Sequence, residues 1–337
     1  MTLSTRVIPC LLLGLLGGLC LVGQPAHAYI TFPVQTLGAA LTDSDHVTLV
    51  KLDKFDREKG ILVFTKVRDL KGKYPLNRMR HVFKLKDTPQ HKGLGAVPVK
   101  PDETDWSYAL KSAKEGNTAI VFSKRYEPYG DFGHVYINGL WYATMCPERD
   151  WDLWYAIYSD PRLLSQWHAG TPEQLATAID IMMTGRKAYV PVLGKGTKAD
   201  LRAGKATLYT LGAWYGIREF NAARDVLPEP LEPGSIPKLV KTLSSATERE
   251  KRAQAAGALG LLGPNAKIAV KALSERVTSD SSGTVRVAAA DALARLGPNA
   301  KSALPALEAA LKDPSMSHRK DVQTALKSAI SQLKESK

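Results

Sequence analysis

Apolar residues recur along the last third of the chain with the spacing of a helix stripe, and the stripe itself recurs. Ile236, Leu239 and Leu243 fall at i, i+3 and i+7, positions that share one face of an α-helix. Val270, Leu273 and Val277 repeat the set 34 residues on, and Leu304, Leu307 and Leu311 repeat it again. A second helix precedes each of these stripes: Ala255, Leu259 and Leu262 align with Ala289, Leu293 and Leu296. Between the two helices, Leu262-Gly263-Pro264-Asn265-Ala266-Lys267 returns letter for letter as Leu296-Gly297-Pro298-Asn299-Ala300-Lys301. Gly263 and Gly297 stand where a helix C-cap takes a left-handed residue, and the prolines behind them stop the helix. Self-similarity at such a period predicts a stacked helical solenoid. In the last unit Ala325 and Leu326 fall one residue early, which predicts a shortened capping helix.

Upstream the period changes from helical to strand-like. The runs 46–53 and 60–71 are β-rich, and the polar turn Asp56-Arg57-Glu58-Lys59-Gly60 between them predicts a hairpin. Residues 78–86 alternate: Arg78, Arg80, Lys84 and Lys86 face one way, and Met79, His81, Phe83 and Leu85 the other. Asn138-Gly139 is a two-residue hairpin signal. Further strands are expected at Thr118–Ser123, Ala188–Leu193 and Lys205–Leu211, with one helix capped by Thr171, opened by Pro172 and closed by Gly185. These elements predict an α+β domain on a mostly antiparallel sheet, curled into an OB-like barrel.

Pro228, Pro230 and Pro233, followed by Gly234-Ser235, break the chain between these two regions. At the other end, Arg6, the apolar run Val7–Val22 and Ala26-His27-Ala28 form a signal-peptide pattern with cleavage after Ala28. Pro9 and the glycines make this run too short for a membrane anchor, and Leu19 before Cys20 argues against lipidation. The expected organisation is a leader at 1–28, an α+β domain at 29–225, a proline-rich linker at 226–235 and an all-α solenoid at 236–333. The mature chain is expected to be exported, periplasmic or secreted, with no transmembrane segment.

Export changes what the composition means. Cys146 is the one thiol left after cleavage, so an internal disulfide is excluded; packing as a small hydrophobe is the expectation for it. The formal charge of +13 favours anionic partners. Outside the cytoplasm, acidic proteins, an anionic polymer or a membrane surface fit this charge, and nucleic acid does not.

The run Val285-Arg286-Val287-Ala288-Ala289-Ala290-Asp291-Ala292-Leu293-Ala294-Arg295-Leu296-Gly297 resembles the first helix of HEAT-like repeats of the phycobilisome-lyase type. The signature of tetratricopeptide repeats, which share the period, is absent. The resemblance implies a short solenoid whose second helices line a concave face, where Lys238, Lys241 and Lys271, with Lys301 beside them, are candidate contacts to a protein partner. It also implies that the pairs Asp280/Arg286 and Asp313/Arg319 form a ladder between repeats. Relatives in that family include bilin lyases and a metal-binding hydroxylase. The hydroxylase's His-Glu motif is missing, His318 being the one histidine of this region. The run Val-Arg-Asp-Leu-Lys-Gly at 67–72, followed by a Gly-led strand at Gly116–Phe122, is similar to secreted OB-like domains of the netrin or metalloprotease-inhibitor type. The same stretch, with Arg57-Glu58-Lys59-Gly60, resembles an uncharacterised exported domain of planctomycete bacteria.

Catalytic signatures are missing: there is no G-x-S-x-G elbow, phosphate-binding glycine loop, dinucleotide fingerprint or H-E-x-x-H. No catalytic residue, metal ligand or cofactor is assigned. The densest constellation joins Trp141, Tyr142, Trp151, Trp154, Tyr155, Tyr158 and Trp167 to Glu148, Asp150, Asp152 and His168. Carboxylates beside stacking aromatics can serve a carbohydrate-active cleft, and a core is the competing use of the same residues. Arg78, Arg80, Lys84 and Lys86 on one strand face are the candidate contacts to an anionic surface. The expected function is an exported, non-catalytic protein-binding scaffold, with a carbohydrate-active or lyase-like enzyme as the alternative.

Overall fold

The computed structural model describes residues 36–83, 103–126, 130–137, 139–146, 152–159, 167–217, 226–227 and 229–336. The leader, Lys84, Lys86, Asn138, Glu148, Asp150, Trp151 and Pro228 therefore lie outside the described residues. The expected first hairpin forms from β1 (His46–Asp56) and β2 (Ile61–Lys71). Asp56 Oδ1 closes it by accepting the N–H groups of Glu58 at 3.0 Å and Lys59 at 2.9 Å.

Strands β3 (Arg78–Val82), β4 (Thr118–Tyr126), β5 (Gly130–Ile137), β6 (Leu140–Cys146) and β7 (Leu153–Ser159) complete a closed barrel in the order β1-β2-β3-β7-β6-β5-β4. Neighbours run antiparallel except β3 and β7, which pair in parallel through Arg80↔Leu153, His81↔Trp154 and Val82↔Tyr155. Three register shifts bend β1, so that it pairs with β2 along its length and with β4 over its first half. An OB-fold has about five strands; this circuit has seven.

Alternation sorts the side chains between two cores. Val50, Leu52, Phe64, Met79, Val121, Tyr142 and Trp154 fill the barrel, and Ala109 and Leu110 of α2 (Glu103–Lys111) join them. Arg57 donates to the carbonyls of Leu110 and Ala113 and ties the end of α2 to the first hairpin. The intervening residues Ile120, Phe122 and Trp141 point outward, against Leu175, Ile179 and Met182 of α3 (Pro172–Met183). Thr171 and Gln174 cap α3 reciprocally, with Pro172 in its first turn. Val190 and Val192 of β8 (Ala188–Lys195) close this second core. That strand belongs to a small sheet with β9 (Thr207–Ala213) and β10 (Val226–Leu227). The start of the proline-rich stretch is thus an edge strand, and Leu231 N–H continues along β9 by donating to Leu208 O. Two short helices, α1 (Leu37–Asp43) and α4 (Lys198–Arg202), complete the upstream region.

The solenoid has two layers. Its first helices are α6 (Arg249–Leu262), α8 (Gly283–Leu296) and α10 (Lys320–Glu335); its second helices are α5 (Ile236–Ser245), α7 (Val270–Ser279) and α9 (Leu304–Leu311). The apolar stripes read from the sequence are its core, with Leu239, Leu243, Leu273, Val277 and Leu307 fully buried. Gly263 and Gly297 take φ of 56° and 60°, which a β-carbon would disfavour. The last helix is not shortened: α10 has 16 residues. The shortening falls earlier: α9 ends after 8 residues where α7 has 10, just before Asp313-Pro314 opens a tight turn.

Candidate interaction surface

The first-helix layer of the solenoid is already occupied over α6 and α8. The ring of Tyr189 in β8 lies on α6 at Gly257, where a β-carbon would stand 2.2 Å from Tyr189 Cγ. Around it the contacts are polar and largely buried. Arg186 pairs with Asp291 at 2.6 Å, Arg295 donates to the Tyr189 carbonyl at 3.2 Å, and Lys187 pairs with Glu250 at 3.2 Å. Burial pushes the Asp291 carboxyl up against the pull of Arg186, and it pushes the Arg295 guanidinium down. Tyr189 also belongs to the solenoid's hydrophobic core, so the small sheet packs as a further layer of the repeat stack.

The turns fall at two opposite edges because successive helices are antiparallel. At the edge between units, Arg252 grips Asp280 through Nε and Nη2, both at 2.8 Å. One unit on, Arg286 Nη1 reaches Asp313 at 2.5 Å, and its Nε donates to the Asp280 carbonyl at 2.7 Å. This is the ladder that the repeat resemblance implied, with a different pairing: each arginine holds the aspartate of the following turn. The final arginine, Arg319, turns to Asp321. Burial works to raise the Asp280 carboxyl, but the bonds from Arg252 and Ser282 N–H outweigh it and hold it below its ordinary value. Asp313, hydrogen-bonded by Arg286 and Ser315, is pulled down to about 2.

The other edge carries the two identical turns. Ala266 and Ala300 are buried there, while Asn265, Lys267, Asn299 and Lys301 are exposed. Ile268 beside them is 65% exposed, the largest value among the large hydrophobic residues described. Lys241 and Lys271, on the second helices, are also exposed and, like Lys267 and Lys301, carry no ion pair among the described residues. Lys238 differs: it pairs with the buried Glu229 at 2.9 Å.

On the barrel, Arg78 and Arg80 point outward as the alternation requires, but neither is a free cation. Arg78 pairs with Asp53, and Arg80 with Asp152 at 2.7 Å. Lys71 is spent on the carbonyls of Leu41, Thr42 and Ser44, which end α1. Two members of the expected strip, Lys84 and Lys86, fall outside the described residues.

The aromatic constellation is divided between the two cores. Trp154 and Tyr142 lie inside the barrel, whereas Trp141 and Trp167 lie outside it under α3; all four are buried. The Trp154 indole donates to Tyr74 Oη at 3.1 Å and stacks on His81. His168 Nε2–H donates to the Thr171 carbonyl at 2.9 Å. Burial lowers both His81 and His168 to about 3, so both imidazoles are neutral. Cys146 is buried in the barrel. Among the described residues no three His, Cys, Asp or Glu side chains gather as a metal site, and no helix is long and apolar enough to cross a membrane.

The junction was not anticipated from the sequence, yet it left a trace there. Asp291 and Arg295 occupy the positions that Gly257 and Leu261 hold one unit earlier. Such a charged pair on an alanine-rich face marks a place where the repeat serves something outside itself.

Comparison with known proteins agrees with this architecture over one region. A family model of HEAT repeats matches residues 236–327, which makes that region a helical repeat of a class that commonly mediates protein interaction. No curated protein matches the chain, and no solved structure does.

Proposed function

We propose that this chain is an exported, non-catalytic scaffold that holds a protein partner on the α5–α7–α9 layer of its repeats. The observation that carries the reading is the asymmetry of the solenoid: α6 packs on the small sheet, whereas Lys241, Lys271, Glu275 and Pro305 of the other layer face solvent. Stacked repeats present extended surfaces of this kind to partners. The small sheet braces the stack, and the upstream domain would meet an anionic surface through the parts of Arg78 and Arg80 left exposed beside their aspartates. The leader at 1–28 would place the mature protein outside the cytoplasm. Burial of Trp141, Tyr142, Trp154 and Trp167 favours the core use of those aromatics over a glycan cleft.

The test is a photo-crosslinking amino acid at Glu275 in α7, with Lys327 in α10 as control, followed in living cells. A discrete adduct from position 275, absent from position 327, is the expected result. Indistinguishable patterns from the two positions would remove the scaffold reading.

A further inference from the structure

The repeated hexapeptide contains more than its fold requires. Gly263 and Gly297 supply the positive φ, Pro264 and Pro298 stop the preceding helix, and Ala266 and Ala300 are fully buried. These residues account for the turn. Asn265, Lys267, Asn299 and Lys301 are left over: they are exposed, and their side chains make no hydrogen bond or ion pair among the described residues. The two turns stack on each other, so the leftover side chains form two rungs of an open ladder. Lys271 and Ile268 lie beside the first rung.

We propose that this edge docks an extended, acidic segment of a partner protein, with Asn265 and Lys267 as one rung and Asn299 and Lys301 as the other. The inference rests on the scaffold reading and names the partner's chemistry and a site for it. An asparagine amide presents a donor and an acceptor, as a peptide group does, and so can bridge the backbone of an extended chain. Each lysine offers a solvated ammonium to a carboxylate. Packed helices stand about 8–10 Å apart, which sets the rung spacing. A polyproline-II segment rises about 3.1 Å per residue and turns once in three. Side chains three apart then lie on one side at about 9 Å, so the ladder fits acidic residues at i and i+3. Ile268 gives an apolar side chain of the segment a place to rest.

Fluorescein-labelled (Glu-Pro-Pro)4 is the probe, with (Gln-Pro-Pro)4 as its neutral counterpart, followed by anisotropy on the full chain in low salt. The glutamate peptide should bind at least tenfold more tightly than the glutamine peptide. Lys267→Glu with Lys301→Glu should weaken it at least tenfold, and Lys320→Glu with Lys327→Glu, the same charge change on exposed positions of α10, should leave it unchanged. Asn265→Ala with Asn299→Ala alters no charge and should still weaken binding several-fold, which diffuse electrostatic attraction would not produce. Full binding by the lysine pair variant or by the asparagine pair variant overturns the proposal. So does binding to phosphatidylglycerol vesicles without binding to the peptide. If the peptide fails while position 275 still yields its discrete adduct, this docking site falls and the scaffold reading stands; if both fail, both fall.

Discussion

The two edges of the solenoid repeat charged residues at the same period and use them in opposite ways. Between units, Arg252 with Asp280 and Arg286 with Asp313 are paired, partly buried and locked to backbone carbonyls. At the hexapeptide edge, Lys267 and Lys301 are exposed and have no carboxylate partner among the described residues. The first edge spends charge on cohesion and the second leaves it available. The arginines of the barrel follow the first pattern: Arg68, Arg78, Arg80 and Arg125 each have an aspartate partner. The net charge of +13 is therefore not an even coat. Whatever acidic group this protein meets, the cations least committed to internal partners include those of the repeat.

The largest expected effect lies on the paired edge. Asp280 is buried, accepts two bonds from Arg252 and one from Ser282 N–H, and has Arg276 within 3.7 Å. Asp280→Ala leaves these donors beside a void and should cost about 3 kcal/mol, the scale for breaking a buried pair. Denaturant unfolding of the full chain measures it. A loss below about 1 kcal/mol would mean that the ladder is ornamental and that the two edges do not differ in kind.

Acid gives the next effect, and it strikes the upstream cores. His81 and His168 titrate near 3 when folded and near 6.5 when unfolded. Below pH 6.5 the unfolded chain takes up protons that the folded chain refuses, so stability falls as pH falls, and the loss levels off near pH 3. At pH 5 each histidine should cost about 2 kcal/mol relative to neutral pH. The carboxylates Asp280 and Asp313 lose their contribution only below about pH 4, so the window between pH 6.5 and 5 belongs to the imidazoles. Burial also lowers His134, to about 4, so denaturation midpoints measured across that window should fall and His81→Leu should remove about a third of the slope. A flat profile would show that these rings are not held neutral.

How much could be read beforehand differed between the regions for a physical reason. A helix pair buries a stripe that its own sequence displays, so Leu239, Leu273 and Leu307 announce their core without knowledge of the neighbours. The hairpins β1–β2 and β5–β6 were equally visible, because a local turn sets their register. The closure of β3 on β7 was not visible: it joins residues more than 70 positions apart, and a parallel pairing leaves no turn to read. Trp141 and Trp154 looked like one cluster for the same reason, since only the barrel wall assigns them to opposite faces. At the candidate site, Lys267 and Lys301 were plain in the repeat. That Arg78 and Arg80 were committed depended on Asp53 and Asp152, which only folding brings near.

The smallest expected effect is the one that tests whether the open edge is free of structural duty. Solvated lysines without partners contribute little to stability, and changes at such sites usually stay within about 0.5 kcal/mol. Lys267→Ala combined with Lys301→Ala should therefore leave the unfolding midpoint almost unmoved, in contrast to Asp280→Ala at the opposite edge. The turns themselves are held by Gly263, Gly297 and the buried alanines, none of which the variant touches. Removing two like charges from neighbouring rungs could even stabilise slightly, more so in low salt, where their repulsion is least screened. A loss above about 1 kcal/mol in the same unfolding experiment would assign the lysines to the fold. The exposed ladder would then be a second cohesive edge, and the contrast on which the docking site rests would disappear.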